Sequence, residues 1–334
     1  MAADGSPITV IGAGSWGTAL ALQFARRGRP VRLWGRDKDQ LRKMATDRAN
    51  ARYLPDADFP RNLVVAADLE TCLDGINDIL IAVPSHGLRE TLTGIAPLLG
   101  DGARICWATK GFELSTGRLP HEVATEILGA SRPMAVLSGP TFATEVGQGL
   151  PTAMTIAAND PDFAGELATT LSGDKFRAYT SGDMLGVEVG GAVKNVLAIG
   201  AGISDGLGYG TNTRIALINR GLVEMTRLGV ALGANPDTFM GLAGMGDLVL
   251  TCTDDQSRNR RMGLALAAGK SVAEAQEEIQ RVVEGVLAAK AVHEVAKANH
   301  VVMPICDEVY RILHEGVSPN EAVDALMGRD LKPE

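Results

Sequence analysis

A glycine-rich turn between a short apolar strand and a helix constrains this chain more than any other feature. The β-branched run Ile8–Ile11 leads into Gly12, Gly14 and Gly17, which have the spacing G-x-G-x-x-G, and an Ala- and Leu-rich helical pattern follows. This strand–turn–helix context is what a dinucleotide-binding fingerprint requires. Gly12 permits the tight turn, Gly14 leaves room for a pyrophosphate, and Gly17 lets helix and strand pack closely. The pattern therefore predicts a dinucleotide site near the start of the chain.

The end of the second predicted strand indicates which dinucleotide is preferred. An NAD site usually places Asp or Glu here to bond the ribose 2′-hydroxyl. In this chain the strand Val31–Trp34 is followed by Gly35 and Arg36, and an arginine suits the 2′-phosphate of NADPH. NADPH is therefore the predicted cofactor and NADH the alternative. The other interpretation of Arg36 is a solvated surface charge.

The first half of the chain alternates strand and helix patterns, which is typical of a mostly parallel sheet with helices on both faces. From Met184 onward helical periodicity dominates. We therefore predict an α/β protein with a doubly wound Rossmann-type N-terminal domain at residues 1–182 and an all-helical C-terminal, substrate-binding domain at residues 183–334. The predicted elements of the first domain are strands at Ile8–Ile11, Val31–Trp34, Leu63–Ala66, Ile79–Val83, Arg104–Trp107, Met134–Ser138, Thr152–Ala158 and Phe176–Thr180, and helices that include Asp37–Asn50 and Leu88–Leu99.

Charge and composition argue against several classes of protein. The formal net charge of −8 argues against a nucleic-acid partner. No apolar run approaches the roughly 20 residues of a membrane span, and the N-terminus lacks the basic region of a signal peptide. The four cysteines and five histidines lack ligand spacing, which predicts free, mostly packed thiols in a reducing compartment and no metal site. We expect a cytoplasmic protein without a membrane partner.

Two lysines lie in unusual surroundings. Lys110 follows a predicted strand and precedes Gly111, while Lys194 lies inside the small and apolar helical segment Gly190–Ala198. A buried lysine is costly without a partner, so Lys194 is a candidate for chemistry. The alternative is a lysine whose ammonium reaches solvent along an apolar stem.

Two further polar groups are candidates for binding. Arg258 lies between Ser257 and Asn259, which makes an anion-binding cluster plausible, although a basic run is usually a solvated face. Asp247 follows the glycine-rich segment Gly241–Gly246 and could pair with a lysine or bond a substrate hydroxyl.

Ordered motifs along nearly the whole chain resemble the bacterial soluble glycerol-3-phosphate dehydrogenase [NAD(P)+] family. They are Gly12–Leu20, Val83–His86, Lys110–Gly111, Leu137–Ala143, Val193–Val196, Gly202–Gly208, Asn212–Thr213, Gly241–Thr253, Ser257–Arg261 and Val282–Gly285. The resemblance implies reversible reduction of dihydroxyacetone phosphate to sn-glycerol 3-phosphate by NADPH or NADH, which supplies glycerophospholipid synthesis. We also expect a homodimer.

The same resemblance implies which residues form the site. Lys194 would be the catalytic acid and base, with Lys110 and Asp247 beside it. The implied cofactor contacts, besides the fingerprint glycines, are Ser15, Trp16, Arg36, Lys110, Ala143, Arg258, Val282 and Glu284. The implied substrate contacts are Lys110, Gly139, Thr141, Lys194, Asp247, Ser257, Arg258 and Asn259. Two departures stand out: Thr141 replaces the Ser of many relatives, and Asp254–Gln256 is more acidic than usual just before the phosphate-binding run.

Elementary chemistry agrees with these roles. Hydride addition to a ketone carbon places negative charge on the oxygen, to which the Lys194 ammonium can donate a proton. Lys110 can stabilise the same charge, and Arg258 and Asn259 offer donors to a phosphate dianion. Two alternatives are a related two-domain NADP-dependent reductase acting on a substrate such as ketopantoate or 6-phosphogluconate, and a dinucleotide sensor without turnover. The lysine and aspartate set argues against the sensor.

Overall fold

The computed structural model describes residues 5–280 and 282–330. The chain divides into two compact units. One comprises residues up to Lys110 together with Pro120–Val187, and the other comprises Gly111–Leu119 together with the residues from Glu188 onward. Gly111–Leu119 thus groups with the C-terminal unit, where a Cβ on Gly117 would lie 3.1 Å from Val295 Cγ2. A single boundary after residue 182 leaves this segment on the other side.

The N-terminal unit is built on an eight-stranded sheet of order β10-β9-β8-β7-β6-β1-β2-β5. Its pairs are parallel, except that β9 runs antiparallel to β8. The first strand is fully buried in the middle of the sheet, as parallel strands covered on both faces are. The chain reverses its direction of winding between β1 and β6, so the ligand-binding crevice of a doubly wound sheet is expected at the carboxyl ends of these strands. The strands of the chain are β1 (Ile8–Ile11), β2 (Val31–Trp34), β3 (Ala49–Asn50), β4 (Leu54–Asp58), β5 (Leu63–Val65), β6 (Asp78–Ile81), β7 (Arg104–Trp107), β8 (Met134–Ser138), β9 (Thr152–Ala158) and β10 (Phe176–Ser181).

Helices connect these strands, and several begin at residues that suit a helix start. Asp37 and Asp160 each accept backbone N–H groups at the start of the helix that follows them, and Pro161 occupies a first-turn position where its missing N–H costs nothing. The fold class predicted from the alternating pattern is therefore confirmed. The helices of this unit are α1 (Ser15–Arg26), α2 (Lys38–Asp47), α3 (Leu69–Leu73), α4 (Leu88–Ile95), α5 (Pro120–Leu128), α6 (Ala143–Gln148) and α7 (Pro161–Leu171).

The helix predicted over Asp37–Asn50 is too long. Helix α2 ends at Asp47, and Arg48 adopts the left-handed conformation with a φ of 53°. The chain then forms the two-stranded antiparallel hairpin of β3 and β4, which the sequence pattern did not predict. A left-handed residue cannot continue a helix, so the chain turns at Arg48 although the polar and apolar spacing continues.

The regular elements among the described residues of the C-terminal unit are all helices. Its helices are α8 (Met184–Gly206), α9 (Thr211–Leu232), α10 (Asp247–Thr253), α11 (Arg258–Ala267), α12 (Val272–Ile279), α13 (Glu284–Ala298), α14 (Pro304–Tyr310) and α15 (Pro319–Met327), where α8 starts just before the unit does. Short π-helical turns lie at Leu242–Gly246 and Arg311–Glu315. Ser271 and Ser318 begin α12 and α15 with reciprocal capping boxes.

Helix α8 combines length with an apolar composition. It is long and apolar enough to match a membrane span by length and composition, with a mean hydropathy of 1.3 over its best window, but 94% of that window is buried within the protein. The four cysteines are free and buried, as predicted. Burial raises the pKa of the Cys72 thiol to about 11 and that of Cys252 to about 12, which keeps both thiols protonated and unreactive.

A buried carboxylate joins α9 to the start of α14. Glu224 is 4% exposed, and its two oxygens accept the backbone N–H groups of Ile305 at 2.8 Å and Cys306 at 3.1 Å. Two donors at a helix N-terminus favour the charged carboxylate. Desolvation outweighs them and raises the pKa of Glu224 to about 7.

This raised pKa predicts a pH-dependent stability. The folded protein keeps a proton on Glu224 that the unfolded chain loses between about pH 4.5 and 7, so the free energy of unfolding falls as pH rises through that window. Between pH 4.5 and 8, the parent should lose up to about 3 kcal/mol more than Glu224→Gln, which cannot ionise. Urea unfolding of both proteins at several pH values measures this difference. Parallel pH profiles for the two proteins would contradict the prediction.

Candidate active site

The glycine-rich turn after β1 contains two glycines that the fold requires and one that it does not. Gly12 has a φ of +118°, and a Cβ there would lie 2.4 Å from the carbonyl oxygen of Ala82. A Cβ on Gly17 would lie 1.9 Å from the Gly12 carbonyl oxygen. A Cβ on Gly14 would meet nothing within 4 Å. The backbone at Gly14 therefore faces open space, which fits a phosphate in close approach.

The first turn of α1 is suited to an anion. Gly14 begins the helix without a side-chain cap, and the first turn has no acidic residue, so its N–H groups are left for a ligand. In the second position of this turn, the indole Nε1 of Trp16 is buried and has no hydrogen-bond partner among the described residues. A buried donor without an acceptor is costly, so an acceptor on a bound ligand would stabilise it. The residues of this turn thus fit the phosphates of a dinucleotide.

Polar side chains from α2 and the unpredicted hairpin hold this turn in place. The carbonyl oxygen of Ala13 accepts from Asn50 Nδ2 at 3.1 Å and from Gln40 Nε2 at 3.3 Å. Asn50 is fully buried and also donates to Thr18 Oγ1 at 2.8 Å. Asn50 lies in β3, two residues after the left-handed Arg48 that ends α2. The hairpin therefore supplies a side chain that holds the glycine-rich turn in place.

Arg36 lies just after β2, and its guanidinium is open to solvent. The side chain is 73% exposed, and Nη1 lies 3.8 Å from Glu90 Oε2, which is 79% exposed. An exposed pair of this kind contributes little to stability. The guanidinium is therefore available to a charged ligand.

The loops after β7 and β8 carry the remaining predicted residues of the N-terminal unit. Thr109 ties the end of β7 to the loop after β6, because its Oγ1 donates to the Val83 carbonyl at 2.7 Å. Lys110, the next residue, is partly exposed. After β8, Gly139 has a φ of +147°, and a Cβ there would lie 2.9 Å from Met154 Cα. Thr141 Oγ1 donates to the Gly139 carbonyl at 3.2 Å, and Ala143 begins α6.

A buried ammonium forms the centre of the C-terminal unit's site. Lys194 is 7% exposed, and its Nζ donates to Asp247 Oδ1 at 2.7 Å and to Thr251 Oγ1 at 2.9 Å. Asp247 is 1% exposed and Thr251 is 4% exposed. The sequence left two partners for Asp247, a lysine or a substrate hydroxyl, and the structure places Lys194 beside it. Thr251 is a further partner that lies one helical turn beyond Asp247.

Close packing at glycines brings these groups together. A Cβ on Gly190, one turn before Lys194, would lie 2.6 Å from the carbonyl oxygen of Ala243 in the π-helical turn. Helix α8 thus touches the backbone that leads directly into Asp247. The glycine-rich segment before Asp247 therefore serves close approach between backbones.

A chain of side-chain amides connects the lysine helix to the run Ser257–Arg261, which is predicted to bind an anion. Asn259 Nδ2 donates to Asn195 Oδ1 at 2.9 Å, and Asn259 Oδ1 accepts from the backbone N–H of Gly285 at 2.9 Å. Asn195 Nδ2 in turn lies 3.4 Å from Glu284 Oε2. Residues adjacent to Lys194 and to Arg258 are therefore joined directly.

The run Ser257–Arg261 forms the start of α11. Ser257 is buried, and its Oγ accepts the backbone N–H of Arg260 at 3.2 Å as the helix cap. Arg258 is half-buried, and its Nη1 donates to the Val282 carbonyl at 2.9 Å. The structure thus brings Arg258, Asn259, Val282 and Glu284 to one place. Two residues were not predicted as site residues: Thr251, which bonds Lys194, and Asn195, which bonds Asn259. A hydroxyl or an amide in a helix carries no distinctive spacing.

The fold and these residues define a class of protein. A doubly wound sheet with a dinucleotide fingerprint at its switch point, accompanied by a helical unit with a buried lysine and anion donors, is typical of two-domain nicotinamide-dinucleotide dehydrogenases. Comparison with known proteins makes this specific. Residues 7–164 match the N-terminal model and residues 183–324 the C-terminal model of NAD-dependent glycerol-3-phosphate dehydrogenase. The chain belongs to the NAD-dependent glycerol-3-phosphate dehydrogenase family.

Individual relatives agree over the whole length. The chain is 53% identical over 333 residues to the glycerol-3-phosphate dehydrogenase [NAD(P)+] of Aeromonas hydrophila, covering 99% of this chain and 100% of that protein. The crystal structure of glycerol-3-phosphate dehydrogenase from Coxiella burnetii is 50% identical, with a TM-score of 0.94, and the match covers 97% and 99% of the two chains. A ketopantoate reductase from Ralstonia eutropha is 15% identical with a TM-score of 0.59, covers 95% and 99%, and shares the fold alone.

Two alanine substitutions separate the structural glycines from the ligand-facing one. Gly17→Ala should destabilise the protein, because the new methyl group would overlap the Gly12 carbonyl oxygen. Gly14→Ala should leave the thermal unfolding midpoint nearly unchanged, since its Cβ meets no protein atom within 4 Å. It should nevertheless weaken dinucleotide binding at least tenfold, because the methyl group occupies the space for the phosphates (a loss of about 1.4 kcal/mol). Calorimetric unfolding and fluorescence titration with NADPH measure both effects. Unchanged NADPH affinity in Gly14→Ala would place the phosphates elsewhere.

Proposed function

We propose that this protein catalyses the reversible reduction of dihydroxyacetone phosphate to sn-glycerol 3-phosphate, with NADPH as the preferred hydride donor. The observation that most supports this proposal is the hydrogen bond between Asn259 and Asn195 at 2.9 Å. It joins the helix that contains the buried Lys194 to the start of the proposed anion-binding run. A proton donor and a phosphate site held together suit a small phosphorylated ketone. Family membership supports the same substrate and argues against a hydroxy-acid substrate.

The proposed proton transfer uses the buried lysine. NADPH, when bound, supplies a hydride to the carbonyl carbon of the substrate. Negative charge then develops on the carbonyl oxygen, and the Lys194 ammonium donates a proton to it. Asp247 and Thr251 hold the ammonium in one orientation. A proton donor fixed in this way stays correctly placed relative to the substrate, which preserves the catalytic rate. In the oxidative direction the neutral amine accepts the hydroxyl proton.

The proposed phosphate site uses the start of α11. Arg258 offers charge-assisted donors to the dianion, and Ser257 and Asn259 add a hydroxyl and an amide. Arg258 reaches the Val282 carbonyl at 2.9 Å, so it also lies beside a segment proposed to contact the cofactor.

The remaining residues have supporting roles in the proposal. Lys110 stabilises the developing oxyanion and contacts both ligands. Gly139 and Thr141 contact the substrate, while Ala143, Val282 and Glu284 contact the cofactor, as Ser15, Trp16 and Arg36 do at its other end. Supply of glycerophospholipid synthesis, a homodimer and a cytoplasmic location belong to the same proposal.

A substrate screen tests the proposal. Oxidation of NADPH and NADH should depend on dihydroxyacetone phosphate and should be absent without a ketone. Ketopantoate should give no turnover. Turnover with ketopantoate in place of dihydroxyacetone phosphate would favour a related reductase, and no turnover with any ketone would favour a dinucleotide sensor.

Replacement of the lysine should abolish most catalysis. Lys194→Met keeps the length of the stem and removes the proton, so kcat should fall by about 10²–10⁴-fold. Asp247 is then buried without its cation, which destabilises the fold. The double variant Lys194→Met with Asp247→Asn removes both charges and serves as the folding control.

Steady-state rates and NADPH titration read out these variants. Both should retain NADPH binding, and Thr251→Val, which keeps the lysine and its carboxylate, should lose less activity than either. A Lys194→Met variant with nearly parental kcat would remove Lys194 from the mechanism.

Exchange of Arg36 should change the cofactor preference. Arg36→Glu removes a charge-assisted contact to the 2′-phosphate, so the NADPH/NADH ratio of kcat/KM should fall by about 10–100-fold. Arg42→Glu is a matched control, because Arg42 is equally exposed and pairs with Asp39 on α2. Equal changes in both variants would indicate a general surface-charge effect and contradict the assignment of Arg36.

A further inference from the structure

A buried carboxylate lies at the C-terminal end of α8, where a negative charge is unfavourable. Asp205 is the next-to-last residue of this helix, and its side chain is 11% exposed. The negative end of the helix dipole repels an anion at this position. Asp205 Oδ2 accepts from Arg260 Nη2 at 2.7 Å and from Arg214 Nη1 at 2.9 Å. Two guanidinium groups thus offset the repulsion.

Arg260 is the member of this cluster that reaches the anion-binding turn. It is 8% exposed, and its other terminal nitrogen pairs with Asp255, whose side chain is 79% exposed. The backbone N–H of Arg260 donates to Ser257 Oγ. Arg260 therefore connects α8, the acidic loop Asp254–Gln256 and Ser257, the residue that caps α11.

The same place has direct backbone packing between two helices. A Cβ on Gly202 would lie 2.0 Å from the Arg260 carbonyl oxygen, and a Cβ on Gly263 would lie 2.1 Å from the Ile199 carbonyl oxygen. Helices α8 and α11 therefore meet without intervening side chains. Because the backbones are in contact, α8 sets the position of the first turns of α11, and the Asp205–Arg260 pair joins the same two helices.

The two carboxylates of the acidic loop make their contacts within this arrangement. Asp254 Oδ1 accepts the backbone N–H of Gln256 at 2.8 Å, and the Asp254 carbonyl accepts the N–H of Ser257 at 3.1 Å. Asp255 is paired with Arg260. The acidic stretch just before Arg258 thus folds back on its own turn and on a buried arginine.

We propose that Asp205 is a positioning residue for the phosphate of the substrate. It holds Arg260, and Arg260 holds the turn that presents Ser257, Arg258 and Asn259. This inference rests on the proposed function, since it assigns the substrate's phosphate to that turn. Asp205 itself does not touch the substrate.

The test compares a variant that removes the carboxylate, and so breaks both of its ion pairs, with a variant that breaks only its pair with Arg214. Asp205→Asn weakens the hold on Arg260, so the KM for dihydroxyacetone phosphate should rise about tenfold, within the roughly 100-fold loss that a 1 Å misplacement can cause. The kcat and the KM for unphosphorylated dihydroxyacetone should stay within about twofold of the parent, because the proton donor is not moved. Arg214→Gln, which leaves the Asp205–Arg260 pair intact, should change each constant by less than about twofold.

A second variant and a binding measurement keep the test independent of folding and of turnover. If Asp205→Asn does not fold, Arg260→Lys keeps the charge but cannot bridge two carboxylates, and it should raise the same KM. Titration calorimetry with inorganic phosphate should show weaker binding in Asp205→Asn than in the parent and in Arg214→Gln.

The possible outcomes test the positioning role of Asp205 separately from the proposed function. Equal effects of Asp205→Asn and Arg214→Gln, or equal losses with the phosphorylated and unphosphorylated ketones, would overturn the positioning role, and so would unchanged phosphate binding in Asp205→Asn. If the parent does not reduce dihydroxyacetone phosphate, the proposed function is wrong. The phosphate titrations then still decide the inference, because weaker binding confined to Asp205→Asn supports it and the absence of phosphate binding in the parent overturns it.

Discussion

The C-terminal unit depends on keeping one ammonium group away from water. Lys194 is buried on the long apolar helix α8, and its charge is tolerated because Asp247 lies 2.7 Å away and Thr251 accepts a second hydrogen bond. Removing either charge alone leaves the other uncompensated, at a cost of roughly 3–5 kcal/mol. The glycine contact of α8 with the turn before Asp247 is what lets the carboxylate reach this depth. The stability of this unit and the proposed proton transfer thus depend on the same pair.

In the N-terminal unit the corresponding constraint lies in the backbone. Gly12 and Gly17 must be glycines, because a Cβ at either position would lie less than 2.5 Å from a carbonyl oxygen. Gly14 is free of such contacts, and so the turn combines a rigid frame with one open face. Asn50 supports that frame from the hairpin, which gives this irregular segment a role beyond connecting α2 to β5. Rigid support around an open face is how a loop can bind a ligand with little reorganisation.

The sequence allowed prediction of the features that depend on local pattern. Strands such as β1 and β8 were predicted at their observed bounds because short apolar runs between turn residues are distinctive. The hairpin at β3 and β4 was missed because Leu54–Asp58 has a proline and two aspartates, which are rare in strands. Contacts such as Lys194 with Thr251, or Asp205 with Arg260, join residues more than fifty positions apart. Such contacts depend on how helices pack, and periodicity within one helix contains no information about them.

The hydrogen bonds of Asn259 have a consequence for the donors that the start of α11 presents. Its oxygen is occupied by the backbone N–H of Gly285, and one of its two N–H groups is occupied by Asn195. The side chain therefore cannot rotate by half a turn without breaking both bonds, so its second N–H keeps a fixed orientation. A freely rotating asparagine could present either its oxygen or its N–H groups in that direction. Here two neutral groups, the Gly285 N–H and the Asn195 amide oxygen, fix the direction of this N–H before any ligand arrives.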